Sequence, residues 1–186
     1  MARDEVFQLV WLTVAGLASV ATSVIAAPGI PGIAGAALAL LMLAIAVIDW
    51  RLLIIPDELS ALALALGFAA LSHENWREMP APALEALGRC VAMAALFLVF
   101  RLAFQRLRGR EGMGLGDVKL AGVAGVWLDW TSLPIAVEVA SLSALGFVMI
   151  QRIRLAQSVD QFSKLPFGAF LAPAIWLCWL LQRLWN

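Results

Sequence analysis

The sequence predicts an all-α, polytopic membrane protein: a bundle of about six or seven transmembrane helices forming one membrane-embedded domain over residues 1–186. Two observations carry that prediction. Hydrophobic residues make up 63% of the chain and charged residues only 14%, whereas soluble domains carry about 25% charged residues. Apolar runs near helix-spanning length also recur from end to end. The formal net charge is zero, which argues against nucleic acid as a partner and leaves the lipid bilayer as the surroundings.

Each element can be justified in order. The first run, about Val6–Ala27, follows Met1-Ala2-Arg3-Asp4-Glu5. It is longer than a signal-peptide core of about 7–15 residues, and the two acids spoil a basic leader, so a first membrane helix is expected. Pro28-Gly29-Ile30-Pro31-Gly32 separates it from a second run, Ile33–Ile48, which ends at Asp49. The third, Leu59–Leu71, opens behind Asp57 and Glu58, where the helix dipole favours acids. A polar stretch from His73, a solvated loop residue, to Pro82 precedes the fourth, Ala83–Phe104, in which Glu85 and Arg89 are an i,i+4 structural pair. Arg101, Arg106, Arg108 and Arg110 then read as a basic loop. The fifth, Val118–Trp130, spans about 20 Å as a helix against a hydrocarbon core of about 30 Å. It therefore starts below the surface or draws the preceding glycine loop into the membrane, where irregular backbone survives only against protein or a hydrated cavity. The sixth run is Ser132–Ile150, with Glu138 near its start, and the seventh is Phe167–Trp185. Glu138 reads as a snorkelling or inter-helix hydrogen-bonding acid. Trp127, Trp130, Trp176, Trp179 and Trp185 fall near helix ends, as an interfacial belt requires.

Charge sets the orientation. With the N-terminus in the cytoplasm, Arg3, Arg51, Arg101, Arg106, Arg108, Arg110, Lys119, Arg152, Arg154 and Lys164 lie on the cytoplasmic side, and only Arg77, Arg89 and Arg183 lie at or near the other. That bias places Asp49 and Asp117 on the cytoplasmic face of a multi-pass inner-membrane protein.

Asp117 stands where Gly112-Met113-Gly114-Leu115-Gly116 runs into an apolar helix, and Asp49 ends an earlier one. Either acid alone reads as a solvated flank; two on one face point to a carboxylate pair. At ~4 Å and an effective dielectric of about 20, their repulsion is about 4 kcal/mol, enough for one to stay protonated while the other ionises. Such a pair supplies a base to activate water and an acid to protonate a carbonyl or leaving amine. The glycines permit the close approach of a substrate backbone. A phosphate-cradling loop is the weaker alternative, because no strand precedes the loop and no Gly-Lys-Ser/Thr follows it. Cys90 and Cys178 lie in apolar runs without Cys-x-x-Cys spacing, and His73 is the only histidine, so neither a metal site nor a cofactor is expected.

Gly114-x-Gly116-Asp117-x-Lys119-Leu120 resembles the GxGD signature of the type IV prepilin and preflagellin peptidases, which are membrane aspartyl proteases. Ile48-Asp49-Trp50-Arg51-Leu52-Leu53-Ile54-Ile55-Pro56-Asp57 looks like that family's first active-site segment. Lys164-Leu165-Pro166-Phe167-Gly168-Ala169 resembles its Pro-Phe-Gly-Pro segment, with Ala169 in place of the usual proline. The resemblance implies removal of a basic leader from prepilin-like, membrane-anchored substrates at the cytoplasmic face. Asp49 and Asp117 match the catalytic pair, and Gly114, Gly116, Lys119, Pro56, Asp57, Pro166, Phe167 and Gly168 match the surrounding loop and groove. It further implies a short, peptidase-only form like those of Tad/Flp-type pili, without the Cys-x-x-Cys insertion and without N-methyltransferase activity. Asp57 is the reserve member of the pair, and Lys119 reads as a snorkelling cation rather than a partner of Asp117. Two rival readings stay open: a proton-coupled transporter or channel that uses the acids as a relay, and a catalytically silent pilus-assembly scaffold.

Overall fold

A computed structural model describes residues 2–109, 112–155 and 165–185, with the side chains of 2–9, 154 and 155 left aside. Its elements are α1 (Ala2–Ala26), α2 (Ile30–Leu52), α3 (Asp57–Glu74), α4 (Ala81–Arg108), α5 (Leu115–Trp127), α6 (Ser132–Leu155) and α7 (Gly168–Trp185). No strand occurs among the described residues. Helices α2, α4 and α6 are long and apolar enough to cross a membrane by length and composition, and the others are apolar helices packed with them. Arg110 and Lys164 of the charge count lie outside the described residues, as do the side chains of Arg3 and Arg154.

Helix α5 is the buried axis of the bundle. From Val118 to Trp127 every residue but Lys119 is buried, against α3, α4 and α7. Small residues make that fit possible, because lipid-embedded helices associate through close backbone packing rather than hydrophobic exclusion. A Cβ on Gly125 would stand 2.5 Å from the backbone nitrogen of Cys90 in α4, and one on Gly122 would stand 3.3 Å from the Cys90 sulfur. Gly35 of α2 is equally obligatory, since the Trp179 indole of α7 fills the space its side chain would need. On its other side α2 packs against α1, and α6 packs against α7.

Five expectations are corrected by the structure. Helix α5 keeps the expected thirteen residues but starts at Leu115, which puts Gly116 and Asp117 in its first turn instead of ahead of it. The Asp117 carboxylate bonds back to the N-cap, accepting from Gly114 N–H at 3.1 Å, and this extends the helix toward the loop. Most of the expected basic loop is helix: α4 continues to Arg108 and closes on Gly109 in the left-handed conformation (φ 67°), so Arg101, Arg106 and Arg108 sit near its end. The tryptophan belt is only partial. Trp130 and Trp185 are exposed, but Trp127 and Trp179 are buried and meet edge to face with centroids 6.4 Å apart. Trp127 donates Nε1–H to the Ala63 carbonyl (2.9 Å), a bond that a buried indole needs. Finally, His73 belongs to the last turn of α3, where it is exposed. Glu138 lies on the exposed side of α6, so the inter-helix reading of that acid has no counterpart here. Glu85 and Arg89 do pair, at 2.7 Å.

Candidate active site

The helix ends that carry the two aspartates converge on one cavity of about 410 Å³. Its walls come from three places: the end of α2 and the turn after it (Asp49, Leu53, Ile54, Ile55), the glycine loop and start of α5 (Gly112 to Asp117), and the approach to α7 (Leu165, Phe167). Asp49 and Asp117 are both among the few buried charged residues, at 5% and 8% exposure. They line the same cavity from two different helices.

Each carboxylate is held by the start of a helix. Asp117 is the third residue of α5 and accepts from Gly114 N–H, as described above. Asp49 sits one turn before the end of α2 and accepts from the Ala169 N–H at 2.8 Å. That donor belongs to the first turn of α7, where backbone N–H groups have no partner within the helix and the dipole favours negative charge. A proline at 169 could not make this bond, so the alanine that departs from the family segment supplies a donor. Gly168 permits the approach: a Cβ there would lie 2.5 Å from Ile55 Cδ1 and 2.9 Å from Asp49 Oδ2.

Ile55 is the contact that sequence reasoning missed. It is 7% exposed and is pressed between two glycines, because a Cβ on Gly116 would also lie 2.7 Å from Ile55 Cβ. The turn that delivers it begins at Leu53, the one described non-glycine residue with positive φ (56°), whose N–H closes α2 on the Asp49 carbonyl at 2.9 Å. Nothing in an Ile-Ile-Pro triplet signals which isoleucine packs inward; only its place between two helix ends does.

Helix α4 braces the other side of the cavity. Phe97 and Phe167 pack with ring centroids 6.3 Å apart. One turn further on, Arg101 Nη1 donates to the Met113 carbonyl at 3.2 Å, and the Phe104 ring occupies the space beside Gly112.

Of the residues singled out in the sequence, Asp49, Asp117, Gly114, Gly116 and Phe167 line the cavity, and Gly168 packs against Asp49 behind its wall. Pro56, Asp57, Lys119 and Pro166 do not line it. Pro56 is the N-cap of α3, and Asp57 and Glu58 open that helix as its dipole favours. Lys119 does not snorkel alone: its Nζ meets Asp57 Oδ1 at 2.6 Å and ties α5 to α3 on the exposed surface. Asp57, turned toward that lysine, is no longer a reserve for the pair.

Comparison with known proteins agrees in outline. A family model described as the type IV leader peptidase family matches residues 36–149, a stretch that contains both aspartates. A prepilin leader peptidase/N-methyltransferase of Aeromonas hydrophila is 32% identical over 164 residues, covering 88% of this chain and 54% of that protein. Those of Stutzerimonas stutzeri and Pseudomonas aeruginosa are each 34% identical, over 149 and 141 residues, covering 75% of this chain and 46% of each relative. The chain thus spans about half the length of the curated relatives it matches. No solved structure matches it.

Proposed function

We propose, from the premise that this chain belongs to the type IV leader peptidase family, that it is a membrane aspartic endopeptidase removing the leader from prepilin-like precursors at the cytoplasmic face. The observation that carries this is the shared cavity: two buried aspartates from different helices, bordered by a glycine loop and apolar walls, with volume for an extended segment of chain.

The chemistry needs one proton between the two carboxylates. The ionised member takes a proton from a water molecule as its oxygen attacks the scissile carbonyl, and the protonated member gives its proton to the carbonyl oxygen. In the second half of the reaction the C–N bond breaks and a proton passes to the departing amine. Like charges sharing a site cannot both ionise easily, so the titration belongs to the pair and roles are not divided between Asp49 and Asp117. The N–H groups of Gly114 and Ala169 orient the two carboxylates without adding a competing cation. Gly114 and Gly116 give the substrate backbone close access. Phe167 borders the cavity as a candidate substrate contact, with Pro166 and Gly168 setting its position.

Co-expression of a prepilin with wild type, Asp49→Asn and Asp117→Asn, with leader removal followed by gel shift, tests the reading. Both variants keep the fold and lose roughly a thousandfold in cleavage rate, within the span of general acid–base catalysis. Cleavage persisting in either variant refutes the assignment. Normal cleavage with loss of a pH-gradient-dependent flux in liposomes would mark a proton relay instead, and pili assembled normally by both variants would mark a scaffold.

A further inference from the structure

The opposite end of the bundle holds a second cavity, of about 500 Å³, formed where α1, α3, α5 and α7 end and α2 begins. Its volume falls within the range of small-molecule sites. Its walls are unusual for a membrane protein because they carry ionised groups of both signs: Arg89, Arg183, Glu74 and Asp129, with the amide of Gln182 beside them. Charged groups partly buried in an apolar bundle are costly and persist where they pair or bind.

These groups are fixed but not exhausted. Arg89, with 11% of its side chain exposed, donates Nη1–H to Glu85 and Nε–H to the Gly125 carbonyl at 3.1 Å, one of the last carbonyls of α5. Arg183 donates Nη2–H to Glu74 Oε1 at 2.6 Å and lies over the Trp179 ring. A guanidinium has five N–H donors, so Arg89 and Arg183 keep donors unused by any described partner, and Glu74 keeps Oε2. Asp129 adds a second anion. Burial works against its ionisation, but hydrogen bonds from Ser132 and Thr131 outweigh it and hold the carboxyl below the usual carboxylate range.

We propose that this cavity binds a zwitterionic phosphate–ammonium group, the chemistry of a phosphoethanolamine headgroup in the leaflet away from the aspartate pair. The two guanidiniums face phosphate oxygens, and Glu74 and Asp129 accept from the ammonium. Charge selects the ligand class. Two cations and two anions line the cavity, and Glu85 outside it already pairs with Arg89, so an overall neutral ligand adds no net charge, whereas an anionic headgroup brings an uncompensated one. Trp127 and Trp179 form the apolar floor beneath these groups. This site is independent of the peptidase reading.

The test is lipid retention by the purified full chain in detergent, read by native mass spectrometry with phosphatidylethanolamine, phosphatidylglycerol or phosphatidylcholine added. Phosphatidylethanolamine is retained about tenfold more than phosphatidylglycerol, the scale of one charge-assisted hydrogen bond gained or lost. Phosphatidylcholine, which has no ammonium N–H, binds more weakly than phosphatidylethanolamine. Arg183→Gln and the milder Glu74→Gln abolish the preference, while Arg77→Gln, at the same end but stacked on Trp76 outside the cavity, preserves it. Glycerophosphoethanolamine then separates the sources: competition shows that the headgroup alone suffices, and its failure against retained lipid assigns the site to the intact phospholipid. Equal retention of the three lipids, or a preference untouched in both Arg183→Gln and Glu74→Gln, overturns the proposal.

Discussion

Ile55 shows how little room the aspartate pair leaves for change at the scale of single residues. Gly116 and Gly168 both give up a side chain to it. Gly116→Ala and Gly168→Ala should each keep the protein folded and lower cleavage about tenfold, by displacing the turn that carries Ile55 and, with it, the end of α2 that holds Asp49. Ile55→Ala combined with Gly116→Ala should recover part of the loss, and a strictly additive double mutant in the cleavage assay would break this account. Lys119 behaves differently. Its ion pair with Asp57 leaves the two side chains 46% and 68% exposed, so Lys119→Met should change the melting free energy by under about 1 kcal/mol. The two aspartates were legible in the sequence because an acid beside glycines at the end of an apolar run is a rare conjunction. Ile55 and the Ala169 N–H were not, since neither carries a distinctive side chain and both matter through what approaches them from another helix.

Among the elements, α5 records both the strength and the limit of sequence patterning. Its length and burial follow from a run of small and apolar residues, broken at Lys119, that leads from a glycine loop to Asp129. Its starting point does not, because the run begins at Val118 while the hydrogen bond from Gly114 to Asp117 winds the preceding turn. The arginines after Phe104 misled in the same way: polarity suggested a loop, yet α4 simply continues out of the apolar layer until Gly109 stops it. Tryptophans near helix ends suggested an interface, but two of them turn inward to fill the space left by Gly35 and Gly67. The α4–α5 seam yields a sharp contrast. Gly125→Val drives a side chain into the backbone of α4 and should cost about 1–3 kcal/mol in denaturant or thermal melts. Gly146→Ala meets nothing within 4 Å and should leave stability unchanged or slightly raised.

For the molecule as a whole, the proposed orientation rests on the charge bias, and the fold places the two cavities described above at opposite ends of the bundle. Single cysteines at Leu107 and Trp76, both exposed, should be labelled by an impermeant thiol reagent from opposite sides of the membrane: the first from the cytoplasm, the second from outside. Labelling of both from the same side would undo the orientation. The membrane class and the order of the helices were legible because apolar run length reports directly on bilayer thickness. The second cavity was not, since its arginines and acids are spread over α3, α4, α7 and the turn after α5, and no spacing along the chain brings them together.

Thirteen residues of α5 reach only about 20 Å. A plug that short cannot match the membrane's full depth, and because α3, α4 and α7 shield it from lipid, water has to fill the difference inside the bundle. Lipid tail length should therefore act as a dial on turnover: short-chain bilayers would lift the cleft toward the solvent from which its water comes, and long-chain ones would drown it in hydrocarbon.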